Sequence, residues 1–246
     1  MNPIVVIPAR LASSRLPGKP LADIHGRPMI AHVLDRAREA GVGPVLVACG
    51  DAEIATAVEA EGGLAVMTDP DLPTGSDRIE QALGRHDPEG RHDVVVNLQG
   101  DLPVLPAALV HAAMSTMADP DTDIGSLVAE IRSAEEATAP SVVKCVCAFR
   151  EHQTVARAHY FSRSIVPGGA GPLWHHIGLY VYRRIALERF VRLPPGLLEK
   201  RESLEQLRAL EAGMRISVAR VDHAPFGVDT PADLDRARAM LAERAS

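Results

Sequence analysis

Aromatic residues make up only 3% of this 246-residue chain. That scarcity speaks against the stacking platforms that hold single-stranded nucleic acid. A long basic run is missing too, and the formal net charge is −6, which speaks against binding along a phosphate backbone. Net charge does not fix local charge, so a basic site for a small anionic ligand stays open. Cysteine is scarce: Cys49, Cys145 and Cys147, each in an apolar run. The last two flank one residue, which is not a common zinc spacing, and no second pair accompanies them. They read as core or strand thiols of a reducing compartment. No apolar run approaches the ~20 residues of a membrane-spanning helix. Residues 1–6 lack the charged start and long apolar stretch of a signal peptide. The expectation is a soluble cytoplasmic protein with no nucleic-acid partner and no membrane insertion.

What is present is material for a core. Hydrophobic residues make up 46% of the chain, enough for one large α/β domain. Residues 4–7, 45–48 and 94–98 are almost wholly apolar, the pattern of parallel strands buried on both faces. Between them the spacing predicts two helices. One carries Met29, Ile30, Val33, Leu34 and Ala37; the other spans about 51 to 61, with Ile54, Ala57 and Val58, and stops at Gly62-Gly63. That alternation implies right-handed crossovers and a parallel sheet. The second half is more mixed, with strands expected at 124–129, 142–148 and 177–182. A helix from about 199 to 212 carries Leu204, Leu207 and Leu210. A last helix opens at Thr230-Pro231-Ala232-Asp233, where Thr suits the N-cap, Pro the first position and Asp the first turn.

The most informative segment follows the first strand: Pro8-Ala9-Arg10, then Ser13-Ser14-Arg15-Leu16-Pro17-Gly18-Lys19-Pro20-Leu21. Open α/β sheets bind ligands beyond the carboxyl ends of their strands. Three cations in a loop at such a place suit a triphosphate: Arg grips phosphate oxygens bidentately and Lys acts as a compact charge. A P-loop or a dinucleotide fingerprint needs several glycines at set spacing, and this turn has one. By composition alone it reads equally well as a solvated basic loop; its position at a strand end favours function.

These residues resemble the nucleotide-binding signature of the CMP-Kdo synthetase family, the 3-deoxy-manno-octulosonate cytidylyltransferases. Thr74-Gly75-Ser76-Asp77-Arg78 is similar to that family's loop around the cytosine, and Asn97-Leu98-Gln99-Gly100-Asp101 to its metal-binding strand end. Tyr160-Phe161-Ser162-Arg163, His176-Ile177-Gly178-Leu179-Tyr180, Leu204-Glu205-Gln206-Leu207-Arg208 and Gly227-Val228-Asp229-Thr230-Pro231 follow in the family's order. The resemblance implies a three-layer α/β nucleotidyltransferase fold with a mostly parallel central sheet and a mixed lobe for acceptor binding and dimerisation. It implies one cytidylyltransferase domain over 1–246: a nucleotide part to about 110, an acceptor and dimer part over about 111–226, and a helix over about 231–243. CTP and a 2-keto-3-deoxy sugar acid are the implied substrates, and a homodimer the implied assembly.

The site residues follow from the same resemblance. Pro8, Ala9, Arg10, Arg15, Lys19, Thr74, Gly75, Ser76, Arg78 and Gln99 would bind the nucleotide. Asp101 and Asp229 would hold Mg²⁺, which takes one or two carboxylates plus phosphate oxygens. Arg15, Lys19, Asp101 and Asp229 form the catalytic set. Gln99, Arg163, His176, Tyr180, Glu205 and Gln206 would meet the sugar acid, with Arg163 suited to its carboxylate. Taken singly, Asp101 reads as a turn residue, Asp229 as a helix-start charge, Tyr180 as core, His176 as a structural histidine, and Glu205 and Gln206 as a solvated helix face. Three departures fall on the acceptor side: Leu102 where Glu is usual, a short glycine-rich connection from 167 to 175, and Cys145-Val146-Cys147. They leave room for a different or modified ulosonic acid, or a sialic-type acceptor. A non-catalytic nucleotide-binding derivative is the remaining alternative, and the retained Arg15, Lys19, Asp101 and Asp229 argue against it.

Overall fold

The structure is a computed structural model that describes residues 1–13 and 15–245, the last three by backbone alone. Ser14 of the basic turn lies outside the described residues. The chain divides into two compact units, Met1–Val110 with Pro225–Ser246, and His111–Ala224, where the sequence reads as one domain with two functional parts.

The first unit opens with β1 (Pro3–Ala9) and a short hairpin, β2 (Asp23–Ile24) and β3 (Arg27–Pro28). Next come α1 (Met29–Glu39), β4 (Val45–Cys49), α2 (Ala52–Ala60), β5 (Leu64–Met67), α3 (Gly75–His86) and β6 (Val94–Asn97). Four of its strands run parallel in the order β5-β4-β1-β6. Ile4, Val5, Val6, Ile7, Val94, Val95 and Val96 are fully buried, and each such side chain contributes about 1.5–3 kcal/mol. The chain steps outward from β1 to β4 to β5, then reverses to place β6 on the other side of β1. Crossovers of one hand therefore put α1 and α2 on one face and α3 on the other. That gives the three layers, with a switch point between β1 and β6, where such sheets open a crevice at their carboxyl ends. Asp87 fixes the turn into β6 by accepting from the backbone N–H groups of Arg91 and His92. Burial pushes its carboxyl up, those two donors pull it down, and the balance leaves it at about 2.

The second unit begins within α4 (Ala107–Ser115). It continues through β7 (Ile124–Glu130), α5 (Ala134–Thr138), β8 (Lys144–Cys147), β9 (Val155–Ser162) and β10 (Trp174–Arg183). Then follow α6 (Arg184–Val191), α7 (Leu197–Glu202), α8 (Gln206–Glu211) and β11 (Ile216–Val221). Its strands lie in the order β10-β7-β11-β9-β8, and β8 also meets β10 at Lys144 and His175, so the sheet curls back on itself. Only β7 and β11 are parallel within it. The chain then returns to the first unit and ends in α9 (Pro231–Ala245).

Two expectations are corrected. The helix expected over 199–212 is two helices, α7 and α8. Ser203 adopts a left-handed conformation, φ 54°, that ends α7, and only a fresh turn then brings Leu204 and Leu207 to the core. Residues 74–78, read as a loop, are the start of α3. Thr74 is its N-cap: its hydroxyl accepts from Asp77 N while the Asp77 carboxylate accepts from Thr74 N. Among the described residues no helix is long and apolar enough to cross a membrane.

Candidate active site

The basic turn is shaped by its own sequence and by two anchors. Gly18 takes φ 68°, which suits glycine, and Pro20 is the second residue of the tight 3-10 turn Lys19–Leu21. Asp51, just ahead of α2, makes no cap hydrogen bond with its side chain; its carboxylate accepts from Leu11 N at 2.7 Å. Leu16 packs on a small core of Ile24, Met29, Val228, Leu234 and Ala237, which joins the turn to α9.

This packing delivers Lys19 to two carboxylates. Its ammonium donates to Asp101 Oδ2 at 2.9 Å, Val228 O at 3.0 Å and Asp229 Oδ1 at 3.2 Å. The Lys19 side chain is only 15% exposed. Burial pulls its pKa down; Asp101 and then Asp229 push it up, and the net lies above the ordinary value. Arg15 reaches Asp229 Oδ2 at 3.1 Å, but it is 66% exposed, so that pair contributes under about 1 kcal/mol. Asp101 is held through its carbonyl, which accepts from Val228 N at 2.9 Å.

Asp229 is not the cap of α9. Thr230 and Asp233 close that helix end between themselves, the Thr230 hydroxyl accepting from Asp233 N and the Asp233 carboxylate accepting from Thr230 N. Both Asp229 carboxylate oxygens therefore face cations. Two carboxylates converging on one ammonium also fit a hard divalent cation, which takes one or two carboxylates and fills its shell with phosphate oxygens and water. No group of three or more His, Cys, Asp or Glu among the described residues could hold such an ion alone.

These groups border a cleft of about 370 Å³ at the carboxyl end of β1. Pro8, Ala9, Arg10, Arg15, Lys19, Thr74, Gly75, Arg78, Gln99, Asp101 and Asp229 all line it. Ser76 does not; it is buried within α3. Arg78 is 2% exposed, and its guanidinium donates to Thr68 Oγ1 and to the carbonyls of Asp69 and Pro70. Burial first, and the charge of Arg10 second, lower its pKa. It thus braces the loop 68–70 beside the cleft. Gly50 leaves room for this guanidinium, since a Cβ there would lie 2.7 Å from an Arg78 nitrogen and the side chain would have to shift. Sequence reasoning missed Leu72 in the lining; nothing in its residue type marks it.

The expected acceptor residues lie in the second unit, apart from Gln99, whose amide donates to Asn97 Oδ1 at 3.0 Å. His176 and Tyr180 sit on β10 with ring centroids 5.5 Å apart, and Gln206, at the start of α8, stands 3.4 Å from the His176 ring. Glu205 immediately precedes Gln206, in the turn between α7 and α8. Arg163 follows β9, and its guanidinium donates to the carbonyls of Glu202, Pro140 and Ser203. Of its five N–H groups two thus tie the end of β9 to the break between α7 and α8, and a third ties it to the segment between α5 and β8. Lys144, fully buried, holds the Arg163 carbonyl from below at 3.2 Å.

A sequence profile for the family described as Cytidylyltransferase matches residues 4–216. The chain belongs to the cytidylyltransferase family. Over 243 residues this cytidylyltransferase is 64% identical to a 3-deoxy-manno-octulosonate cytidylyltransferase of Rhodospirillum centenum, covering 99% of this chain and 95% of that one. It is 61% identical over 241 residues to the protein of the same name from Paramagnetospirillum magneticum, covering 98% of each. Among solved structures it is similar to a CMP:2-keto-3-deoxy-manno-octonic acid synthetase complexed with CTP, with TM-score 0.90 and 41% identity over 99% of this chain and 100% of that one.

The cytidylyltransferase is therefore a nucleotidyltransferase with the three-layer α/β fold of that class. Its buried His176 carries a consequence for stability. Burial, helped by His175, lowers the His176 pKa to about 3. The folded value lies below the unfolded one, so protonation favours the unfolded chain. This contribution is complete above about pH 6.5 and is lost as pH falls towards 3, at up to about 1.4 kcal/mol per pH unit. Denaturant unfolding at stepped pH is expected to show that slope, and His176→Gln to flatten it. A variant with the wild-type slope would contradict the assignment.

Proposed function

We propose that this cytidylyltransferase transfers CMP from CTP to the anomeric hydroxyl of 3-deoxy-manno-octulosonate, releasing pyrophosphate. The observation that carries the reading is the Lys19 ammonium held between Asp101 and Asp229, in a cleft at the sheet's switch point. The names of its close relatives support the acceptor. The hydroxyl oxygen of the sugar acid attacks the α-phosphorus of CTP, the bond to the bridging oxygen breaks, and the hydroxyl proton is lost. Arg15 and Lys19 meet the charge that builds on the phosphate oxygens. Gly75, at the N-terminus of α3, faces the nucleotide with its backbone N–H, and the helix dipole adds to it; the Thr74 N–H is taken by Asp77. Asp101 and Asp229 are the residues that would hold Mg²⁺, which supplies charge neutralisation and lowers the pKa of the attacking hydroxyl. Gln206 and Tyr180 supply hydroxyl-binding groups for the sugar acid, and His176, whose two ring nitrogens face Ser126 and Gln206, backs them.

The test is pyrophosphate release with the purified protein, Mg²⁺, the sugar acid and each nucleoside triphosphate in turn. CTP is expected to be preferred, because a site built to hydrogen-bond one base leaves polar groups unpaired with another, at about 1–3 kcal/mol per group. Equal turnover with UTP, or no turnover with the sugar acid, would overturn the reading.

A further inference from the structure

Ser126 lies on β7, fully buried, opposite the place where β10 departs from regular register between Ile177 and Val181. That irregularity turns two carbonyls of β10 towards one hydroxyl. Ser126 Oγ stands 2.9 Å from Ile177 O and 3.0 Å from Leu179 O, and 2.9 Å from His176 Nε2.

The protons in this group can be placed by elimination. Carbonyl oxygens only accept, and a hydroxyl has one proton to give. Both carbonyls face Ser126, so its proton goes to one of them. The hydroxyl then accepts from His176, and Nε2 carries a hydrogen. The ring is neutral at working pH because it is buried away from any counter-charge. A neutral imidazole protonated at Nε2 has a bare lone pair at Nδ1. The Gln206 amide stands 3.4 Å from Nδ1, so the group facing the ring is the NH₂. With the NH₂ end towards the ring, Gln206 Oε1 is the end of the amide turned from it. Phe161, edge-on at 4.7 Å, and Tyr180 hold the ring in this plane.

We propose that Ser126 is a positioning residue for the acceptor site: it sets the His176 tautomer and, through it, turns the Gln206 carbonyl oxygen towards a hydroxyl of the sugar acid. The inference rests on the function proposed above for its link to the acceptor. A substrate hydroxyl meets an acceptor at this point; a flipped amide would meet it with N–H donors instead.

Histidine-selective ¹⁵N labelling reads the tautomer by NMR with no substrate present. The unsubstituted protein is expected to show His176 with its proton on Nε2 and Nδ1 bare at neutral pH. Ser126→Ala removes the acceptor for Nε2–H and is expected to lose that single tautomer. The KM for the sugar acid should rise about tenfold, the effect of one mis-set hydrogen bond, while the KM for CTP stays within about twofold. Ser126→Thr keeps the hydroxyl and is expected to restore both readings. A residue of merely structural importance would lower Tm without moving the tautomer or splitting the two KM values. An unsubstituted protein with His176 protonated at Nδ1, or charged, overturns the proposal. A Ser126→Ala protein with unchanged tautomer and sugar-acid KM does the same. If Ser126→Ala fails to fold, the unsubstituted spectrum and Ser126→Thr still decide. If the unsubstituted protein transfers nothing to the sugar acid, the functional reading fails by itself, and the NMR result stands apart from it.

Discussion

Asp101→Asn and Asp229→Asn are each expected to depress turnover by about a thousandfold or more while leaving the protein folded. Asn keeps the size of Asp and most of its hydrogen bonding, but removes the charge that two cations share at Asp229 and one at Asp101. If these carboxylates hold the metal, its ordering of the attacking oxygen is lost with either charge. The KM for CTP should move less, because Arg15 and Lys19 still meet the phosphates. Position 229 is an unusually clean test. The end of α9 is closed by Thr230 and Asp233, so Asp229→Asn should scarcely change Tm. Had Asp229 served the helix dipole alone, its Asn variant would lose about 1 kcal/mol of stability and keep its activity. Steady-state kinetics at saturating Mg²⁺, read beside a thermal melt, separate the two. Near-normal turnover by a folded Asp229→Asn protein would sink the metal assignment.

Lys19→Met should lower kcat/KM for CTP by about 10²–10³, the range for removal of one preorganised donor from a reacting phosphate or carbonyl. Lys19 has little freedom: Gly18 and Pro20 set its backbone, and three oxygens hold its ammonium. Without it Asp101 loses its ion pair and Asp229 keeps the one to the exposed Arg15. The loss should therefore show in both kcat and the CTP KM, unlike that of the Asp variants. Lys19→Arg is not expected to rescue, since a planar fork does not fit three oxygens arranged around a single nitrogen. A Lys19→Met enzyme within about threefold of wild type would remove Lys19 from the catalytic set.

Much of the first unit is legible in the sequence because its strands are buried on both faces. β1, β4 and β6 are continuous apolar runs, and β1 marks the turn that carries Arg10, Arg15 and Lys19. β5 escapes the same reading because it is an edge strand with Leu64 and Met67 half exposed, right after two glycines. β9 alternates Val155, Ala156, Arg157, Ala158 and His159, a weak signal in a chain with few aromatics. The break at Ser203 was invisible, because 199–212 carries an unbroken helical pattern and only the positive φ separates α7 from α8. Among the expected site residues, the individual types were readable, but their partners were not. No spacing in sequence shows that Arg163 donates to Pro140 and Ser203, that Arg78 braces 68–70, or that Ser126 stands between two β10 carbonyls. These are contacts across 8 to 53 residues, set by the fold rather than by local pattern.

The first unit is discontinuous, with Asp229 arriving only after the whole second unit has been made. This sets a timetable for the protein during its own synthesis. The basic turn, α3 and Asp101 have all been added by residue 101, before any of the second unit exists. At ~5–20 residues per second, the step from 101 to 229 takes on the order of ten seconds. Throughout that interval the growing chain holds Arg10, Arg15, Lys19 and one carboxylate, without the second carboxylate or the α9 core that seats Leu16. A chain stalled before residue 225 would carry every residue that lines the cleft except Asp229. With Asp229 holding the metal as proposed, catalysis is the last property the polypeptide acquires.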